Sequence, residues 1–524
     1  MYDAIVIGAG HNGLVAAATL AKAGKKILVL EKRPIVGGAA VTEEIHPGFR
    51  STTCAYSPGL FQDSIAQSLN LKKFGYETIE FDPSLFAPSA SSDGLFFWNS
   101  VQKTAEGLAS RSVKDSANYA RFQKNISRFA NFLRPLFLTS LPDPATVGAS
   151  DTGELLSLAW KLRKVKQNDI NEMLRILAMS VNDLLNEYFE NDHLKGVLAS
   201  DGILGSFYGP RSSGSVFLML YLRMGRGNGN QQWPFVRGGM GALSEAIAQS
   251  ARAAGAEIRT SAEVAHVLIK DGVARGVVLQ GGEEIPGRVV LSNADAKRTF
   301  LKLVDPVYLE PHFAMAVRNI KARGVSAKVN LALDRYPQWR GLGTEKPANI
   351  CIAPSMDYLE RAFDDAKYGN FSRAPFLDIA IPSVVDSTVA PEGKHVMSIY
   401  VLFAPYHLKK GDWNSRRIEL GDTVIRTLEE YAPGLSASIL KRQVVTPLDL
   451  ETEFGLTEGH IHHGELSLDQ IFFMRPVPGY SRYRTPVSNL YLCGAAAHPG
   501  GGVTGIPGSN AAAAVLQDLR EGKA

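Results

Sequence analysis

Ala4-Ile5-Val6-Ile7-Gly8-Ala9-Gly10-His11-Asn12-Gly13-Leu14-Val15-Ala16-Ala17-Ala18-Thr19-Leu20-Ala21 decides the fold of this chain. Ala4 to Ile7 is a short apolar run, largely β-branched, that stops at a glycine, the pattern of a buried strand. Leu14, Ala17, Ala18 and Ala21 then recur at three- and four-residue spacing, the period of a helix packed on one face. After Gly24 and Lys25-Lys26 a second buried strand, Ile27 to Leu30, ends at Glu31. The spacing predicts strand, tight turn, helix, strand. Gly8 permits the sharp turn out of the first strand, Gly10 lets the backbone approach a pyrophosphate, and Gly13 lets the helix pack closely on the strand. The free N–H groups and positive end of that helix favour phosphate. Glu31, at the tip of the second strand, is placed to accept hydrogen bonds from a ribose hydroxyl. This is a Rossmann-type dinucleotide site, and at this point NAD fits it as well as any other dinucleotide.

Working outward, 524 residues exceed one ordinary core, so two or more domains, or one with a large insertion, are expected. Apolar residues at 45% and charged residues at 21% describe a well-packed globular chain. Lys plus Arg number 56 against 52 Asp plus Glu, a net charge of +4, which gives no whole-chain attraction to nucleic acid. Cys54, Cys351 and Cys493 stand far apart with no C-x-x-C pair, which argues against a disulfide framework, a zinc ribbon and a thiol redox couple, and fits a reducing compartment. The first strand begins almost at Met1, so no signal peptide is expected, and no apolar run approaches the ~18 residues of a membrane span. A cytoplasmic protein is expected, with attachment to a membrane surface left open.

Glu31-Lys32-Arg33-Pro34-Ile35-Val36-Gly37-Gly38-Ala39 narrows the dinucleotide. A glycine pair just after the acidic strand lets the chain fold back over a long flavin dinucleotide. The whole opening resembles the two-dinucleotide-binding-motif flavoproteins, the broad group that contains amine oxidases and carotenoid desaturases. The resemblance implies FAD as cofactor, Glu31 on the adenosine ribose, Arg33 close beside it, and Lys32, Gly37, Gly38 and Ala39 along the cofactor.

Two later stretches return to the same domain. Arg237 to Leu243 opens a helix with Leu243, Ala246, Ile247 and Ser250 on one face. Short β runs follow at Glu257 to Thr260, Val264 to Lys270 and Ala274 to Leu279, then Arg288 to Leu291. The resemblance implies a backbone contact from Val264 to the adenine. The last return is the strand Asn489 to Gly494, a glycine-rich segment from His498 to Gly508, and a helix from about Ser509 to Leu519. Six glycines between Gly494 and Gly508 require close backbone approach or repeated positive φ. In the resembling proteins this segment passes beneath the isoalloxazine, which assigns Gly494, His498, Gly502, Val503 and Thr504 to the cofactor. The expected architecture is α/β, with a Rossmann-type FAD-binding domain in three parts, residues 1–70, 233–300 and 470–524. A substrate domain is split across two insertions, residues 71–232 and 301–469. The first insertion reads as helical over Ser112 to Leu138, Glu154 to Lys166 and Asp169 to Glu190. The second reads as α+β, with strands at Ala327 to Leu333 and His395 to Phe403. Gly225-Arg226-Gly227-Asn228-Gly229 has the wrong spacing for a second dinucleotide turn, so a built-in nicotinamide domain is not expected.

Asp378 to Ser383, Val389 to His395, Phe403-Ala404-Pro405-Tyr406, Leu466 to Gln470 and Arg475-Pro476-Val477-Pro478-Gly479-Tyr480 sharpen the likeness. They resemble the phytoene-desaturase-related subgroup, which includes carotene ketolases and the pyridine nucleotide-disulfide oxidoreductase domain-containing proteins. This implies an FAD-dependent oxidoreductase for a hydrophobic polyene or isoprenoid, acting by dehydrogenation, isomerisation or ketolation, with oxygen or a quinone as electron acceptor. An amine or amino-acid oxidase, or a binding protein that keeps FAD for stability, are the rivals. His460, His462 and His463 are too few ligands for a metal centre, and no metal is assigned. His462 and His463 are instead candidate acid/base groups, and Arg475 is a candidate beside them, an anchor for the return to the FAD domain, or half of a satisfied surface salt bridge. His498 reads as a structural hydrogen-bonder. Ser215 to Leu222 reads as a core helix, with a substrate-tunnel wall as its alternative. The stripe Phe129, Phe132, Leu133, Leu136, Phe137 reads as packing inside the insertion rather than as a membrane-facing patch.

Overall fold

The strand Tyr2–Ile7 pairs in parallel with Ile27–Leu30 on one side and Glu284–Ser292 on the other. This computed structural model describes residues 1–90, 93–140, 167–225 and 233–524, with a few positions between 148 and 163. The helix His11–Lys22 makes the crossover, and its Leu14, Val15, Ala17, Ala18 and Ala21 are buried. Glu257–Arg259 extends the parallel sheet beyond Ile27–Leu30, and Leu490–Leu492 adds to it beside Glu284–Ser292. Val264–Lys270 and Val273–Leu279 complete the seven strands as an antiparallel extension. Ile27 to Leu30 are all buried, as expected of parallel strands covered on both faces, which read as continuous apolar runs rather than alternating ones.

A second seven-stranded sheet holds Ile439–Val445, Ser326–Leu333, His395–Leu402, Leu377–Ala380, Asn349–Ile352, Leu85–Ala87 and Leu95–Phe97, in that spatial order. A helical layer packs beside it, from Val113–Leu138, Gln167–Leu177, Val181–Asn186, Asp192–Ala199 and Ser215–Arg223. Every residue of Ser215–Arg223 is buried. Phe129, Leu133 and Phe137 also point into this core, so the aromatic stripe faces protein. Among the described residues no helix is long and apolar enough to cross a membrane.

The structure differs from the sequence reading at several edges. The helix expected over Asp169 to Glu190 is broken, because the Ser180 side chain accepts from Asp183 N and starts a new helix at Val181. The final helix begins at Ile506 rather than Ser509, with Pro507 in its first turn, where a missing N–H costs nothing. The first insertion also carries strands, Leu85–Ala87 and Leu95–Phe97, which join the second sheet. The boundaries drawn at 71 and 301 cut through packed side chains, since Leu71, Leu303, Phe313 and Val317 belong to the core around the first sheet. The helix expected from Glu154 to Lys166 lies mostly outside the described residues, as does all of the Gly225 to Gly229 run beyond Gly225.

Candidate functional site

A cleft of about 1810 Å³, counting its open mouth, runs from the glycine turn to the second sheet. Gly8, Gly10, His11 and Asn12 line it where the first strand turns into the helix. Gly8 has a φ of 92°, which favours glycine. A Cβ on Gly10 would lie 2.7 Å from the Asn293 amide, and one on Gly13 would run into the Gly8 carbonyl oxygen. Gly13 therefore faces the strand and serves packing, as the spacing implied. Asn293, which the sequence reading did not single out, lines the cleft at the end of the parallel strand Glu284–Ser292.

Glu31 is buried and holds the turn itself: its carboxylate accepts from Ala9 N at 2.8 Å and from Arg33 N at 2.9 Å. Each oxygen keeps a further lone pair for a ribose hydroxyl. Arg33 donates to Glu43 at 2.8 Å and lies over the Phe454 ring at 4.6 Å. Lys32 donates to the Thr452 carbonyl at 2.9 Å. Gly37, Gly38, Ala39 and Val264 line the same end of the cleft, and the strand register is irregular between Val264 and His266.

The opposite end is built from the glycine-rich C-terminal segment and the split domain. Gly502 and Val503 line it, with φ values of 98° and 57°. The Gly502 carbonyl accepts from Leu60 N at 3.0 Å, and the Gly501 carbonyl accepts from the Tyr221 hydroxyl at 2.6 Å. Lys328, Tyr400, Ser326, Tyr56 and Cys54 form the far wall. Lys328 is buried on the strand Ser326–Leu333, donates to Ser398 Oγ at 2.6 Å and stands 5.0 Å from the Tyr56 ring. Desolvation brings its ammonium down to about 8, against the partial support of Cys54 and Asp378. The Tyr56 hydroxyl donates to Asp378. Sequence reasoning passed over Lys328, although a lone charge inside a strand of otherwise uncharged residues was the available signal.

The histidines divide by position. His462 and His463 line the cleft; His460 lies behind them, its Nδ1 accepting from His462 N at 3.3 Å and Gly464 N at 3.4 Å. Burial drives His460 far below the ordinary range and His462 to about 3, with the Arg475 charge adding to both, so both are neutral near pH 7. His11 and His463 also line the cleft together, and burial lowers His11 to about 4 with His463 as a further cause. His498 is not on the wall: its Nε2 sits 3.0 Å from the Leu136 carbonyl and its ring stacks near Phe137. Gly494 packs its backbone against Asn293, and Thr504 Oγ1 accepts from Ile506 N at the head of the last helix. Arg475 is buried behind the wall and, among the described residues, donates hydrogen bonds only to backbone carbonyls, so it is no acid/base group at the cleft.

The donor set fits a dinucleotide. Among the described residues, the cleft-lining side chains carry buried polar atoms without a hydrogen-bond partner, among them His11 Nε2, Asn12 Oδ1, Arg33 Nη1, His463 Nδ1 and both ring nitrogens of His462. Buried polar atoms rarely go unpaired, and these suit phosphate and ribose oxygens and hydroxyls.

Comparison with known proteins agrees with this geometry. The family model described as flavin containing amine oxidoreductase matches residues 13–516. The chain is 38% identical to the "Pyridine nucleotide-disulfide oxidoreductase domain-containing protein 2" of Rattus norvegicus, covering 99% of this chain and 94% of that one. It is 26% identical to a lycopene-forming phytoene desaturase of Pantoea ananas, covering 99% and 100%. Among solved structures, putrescine oxidase bound to putrescine superposes with a TM-score of 0.61 at 15% identity, covering 99% of each chain, a likeness of fold.

Proposed function

The chain belongs to the flavin-containing amine oxidoreductase family and is an FAD-dependent oxidoreductase, and from that premise we propose that its substrate is a neutral hydrophobic molecule of polyene or isoprenoid type. The observation that carries this reading is the chemistry of the inner end of the cleft. Among the described residues the lining carboxylates are Glu31 and Glu263, at the dinucleotide end with Arg33 and Arg298. At the inner end the charged group is the buried Lys328, and Leu204, Leu222, Trp233 and Ile461 line the same cleft. An ammonium substrate would meet a like charge there, which the Asp378 carboxylate behind Tyr56 offsets only in part. An apolar chain meets side chains that release water. The similarity to a phytoene desaturase supports the same substrate class.

When bound, FAD supplies a two-electron acceptor for hydride from an activated C–H bond. The residues of this chain do the rest. Gly8, Gly10, Glu31 and Arg33 bind the adenosine half, and Leu204, Leu222, Trp233 and Ile461 exclude water. Lys328 keeps a proton on Nζ below about pH 8 and presents a fixed charge to an electron-rich double bond. No side chain of the cleft is required to break the C–H bond, and oxygen or a quinone is the proposed acceptor that returns FAD to its oxidised form.

The test is anaerobic mixing of the FAD-loaded protein with a panel of isoprenoids, carotenoid precursors and primary amines, following flavin absorbance and products. Substrate-dependent bleaching or isomerisation with the apolar compounds is expected. Rapid bleaching by small amines alone would replace this reading with an amine oxidase.

A further inference from the structure

Arg475 is a full positive charge, 3% exposed, and among the described residues no carboxylate pairs with it. Its Nε and Nη2 donate to the Ala495 carbonyl at 3.0 and 2.8 Å, Nη1 to those of Glu465 and Gln470 at 3.1 and 3.3 Å, and Nη2 also to those of His462 and Gly464 at 2.5 and 3.3 Å. The Glu465 side chain points elsewhere, paired with Arg323 at 2.6 and 2.9 Å. The titratable groups around the guanidinium are His460, His462, His463, His498 and Tyr221, from the loop after Gly459, the glycine-rich segment and the buried helix Ser215–Arg223. Burial holds the four histidines low and the phenol high, so around neutral pH none of them is an anion. Arginine interiors of this kind normally carry a paired carboxylate, because desolvating an unpaired ion costs several kcal/mol. Even with burial lowering it to about 10, Arg475 stays charged near neutrality.

Two of the carbonyls it grips belong to cleft-lining residues, His462 and Ala495. The charge therefore sits one residue behind the cleft wall, beside Gly500, where a Cβ would lie 3.5 Å from the Arg475 Nε. Carbonyl groups alone could be satisfied by a neutral amide or a buried water, so hydrogen bonding does not account for the charge.

We propose that Arg475 is the electrostatic determinant of reduction at this site, its missing counterion being the negative charge that FAD acquires when reduced. Reduction gives FAD two electrons and one proton, supplied together as the hydride the substrate loses, so the cofactor gains one net negative charge in a water-poor cleft. A fixed cation close by stabilises that state over the oxidised one without reorganising. The proposal rests on the cofactor and is independent of which substrate class is correct.

The experiment sets the FAD-loaded protein in redox equilibrium with a reference dye, without substrate, and measures flavin affinity alongside. Arg475→Gln and Arg475→Met remove the charge; Arg475→Lys keeps it while losing most of the carbonyl contacts. The reduced-to-oxidised ratio at a fixed dye ratio is expected to fall about tenfold or more in the neutral variants and to stay within about threefold in Arg475→Lys, tenfold being 1.4 kcal/mol. If the neutral variants do not fold, the lysine variant still decides the matter. A buried lysine loses its proton at lower pH than arginine, so its ratio should drop away from that of the wild type between about pH 7.5 and 9. Equal ratios in the lysine and neutral variants, or parallel pH profiles for lysine variant and wild type, would overturn the proposal and leave Arg475 as a tie between loops.

Discussion

Lys328→Met offers the most direct reading of the inner cleft. Burial lowers the ammonium from an ordinary 10.5 to about 8, so between those values the unfolded chain holds a proton that the folded one has released. Stability then rises with pH across that window, and the full cost of the buried charge is present below about pH 8. The fall from 10.5 to about 8 corresponds to about 3 kcal/mol. Methionine removes this cost and keeps the volume of the stem, but Ser398 Oγ loses its charged donor, worth about 1.5–3 kcal/mol. The two effects nearly cancel near pH 7, so the variant should unfold within about 1–2 kcal/mol of the wild type there. The wild type should then gain about 3 kcal/mol over the variant by about pH 10.5. Urea unfolding at saturating FAD, followed by tryptophan fluorescence from about pH 7 upward, measures it. Other groups that titrate in this range are common to both proteins and drop out of the difference. Parallel profiles would refute the reasoning and mean that Lys328 is solvated through the cleft.

Gly13→Ala places a methyl group against the Gly8 carbonyl oxygen, and overpacking of this kind costs about 1–3 kcal/mol, so FAD affinity measured by fluorescence titration should weaken by about five- to hundredfold. Asp518 is buried and accepts from Arg484 at 2.7 Å twice and from the Tyr491 hydroxyl at 2.6 Å. Burial alone would raise its carboxyl, but these donors outweigh it and hold it low, so its contribution is present above the ordinary aspartate range and lost as pH falls through the lowered value. Asp518→Asn should cost about 2–3 kcal/mol, less than a fully buried pair because Arg484 is partly exposed, and its stability profile should be flatter than the wild type's in acid.

The dinucleotide end of the cleft was legible because its requirements are local. A strand, three glycines, a helix and an acidic residue occupy Ala4 to Glu31, and each residue type answers to a backbone angle, a close approach or a hydrogen bond that sequence spacing preserves. The returns at Val264 and Leu490 were legible for a related reason, since short apolar runs fenced by turn residues mark strands, the one at Leu490 entering the parallel sheet and the one at Val264 its antiparallel extension. The break at Ser180 was harder to see, because a serine cap matters only where the backbone around it leaves the helix.

By itself the sequence determined a dinucleotide site and the sheet that carries it, since both follow from period, glycine placement and one carboxylate within about thirty residues, while FAD in particular is what the resemblance from Glu31 onward implied. The tertiary structure alone decided what stands at the other end. Lys328, Tyr400, Tyr56 and Arg475 come from strands and loops tens to hundreds of positions apart, and their partners are set by long-range register. Whether each is a surface ion, a structural tie or a charge aimed at a cleft depends on burial and on which carboxylates are near. Those are properties of packing, and no local pattern records them.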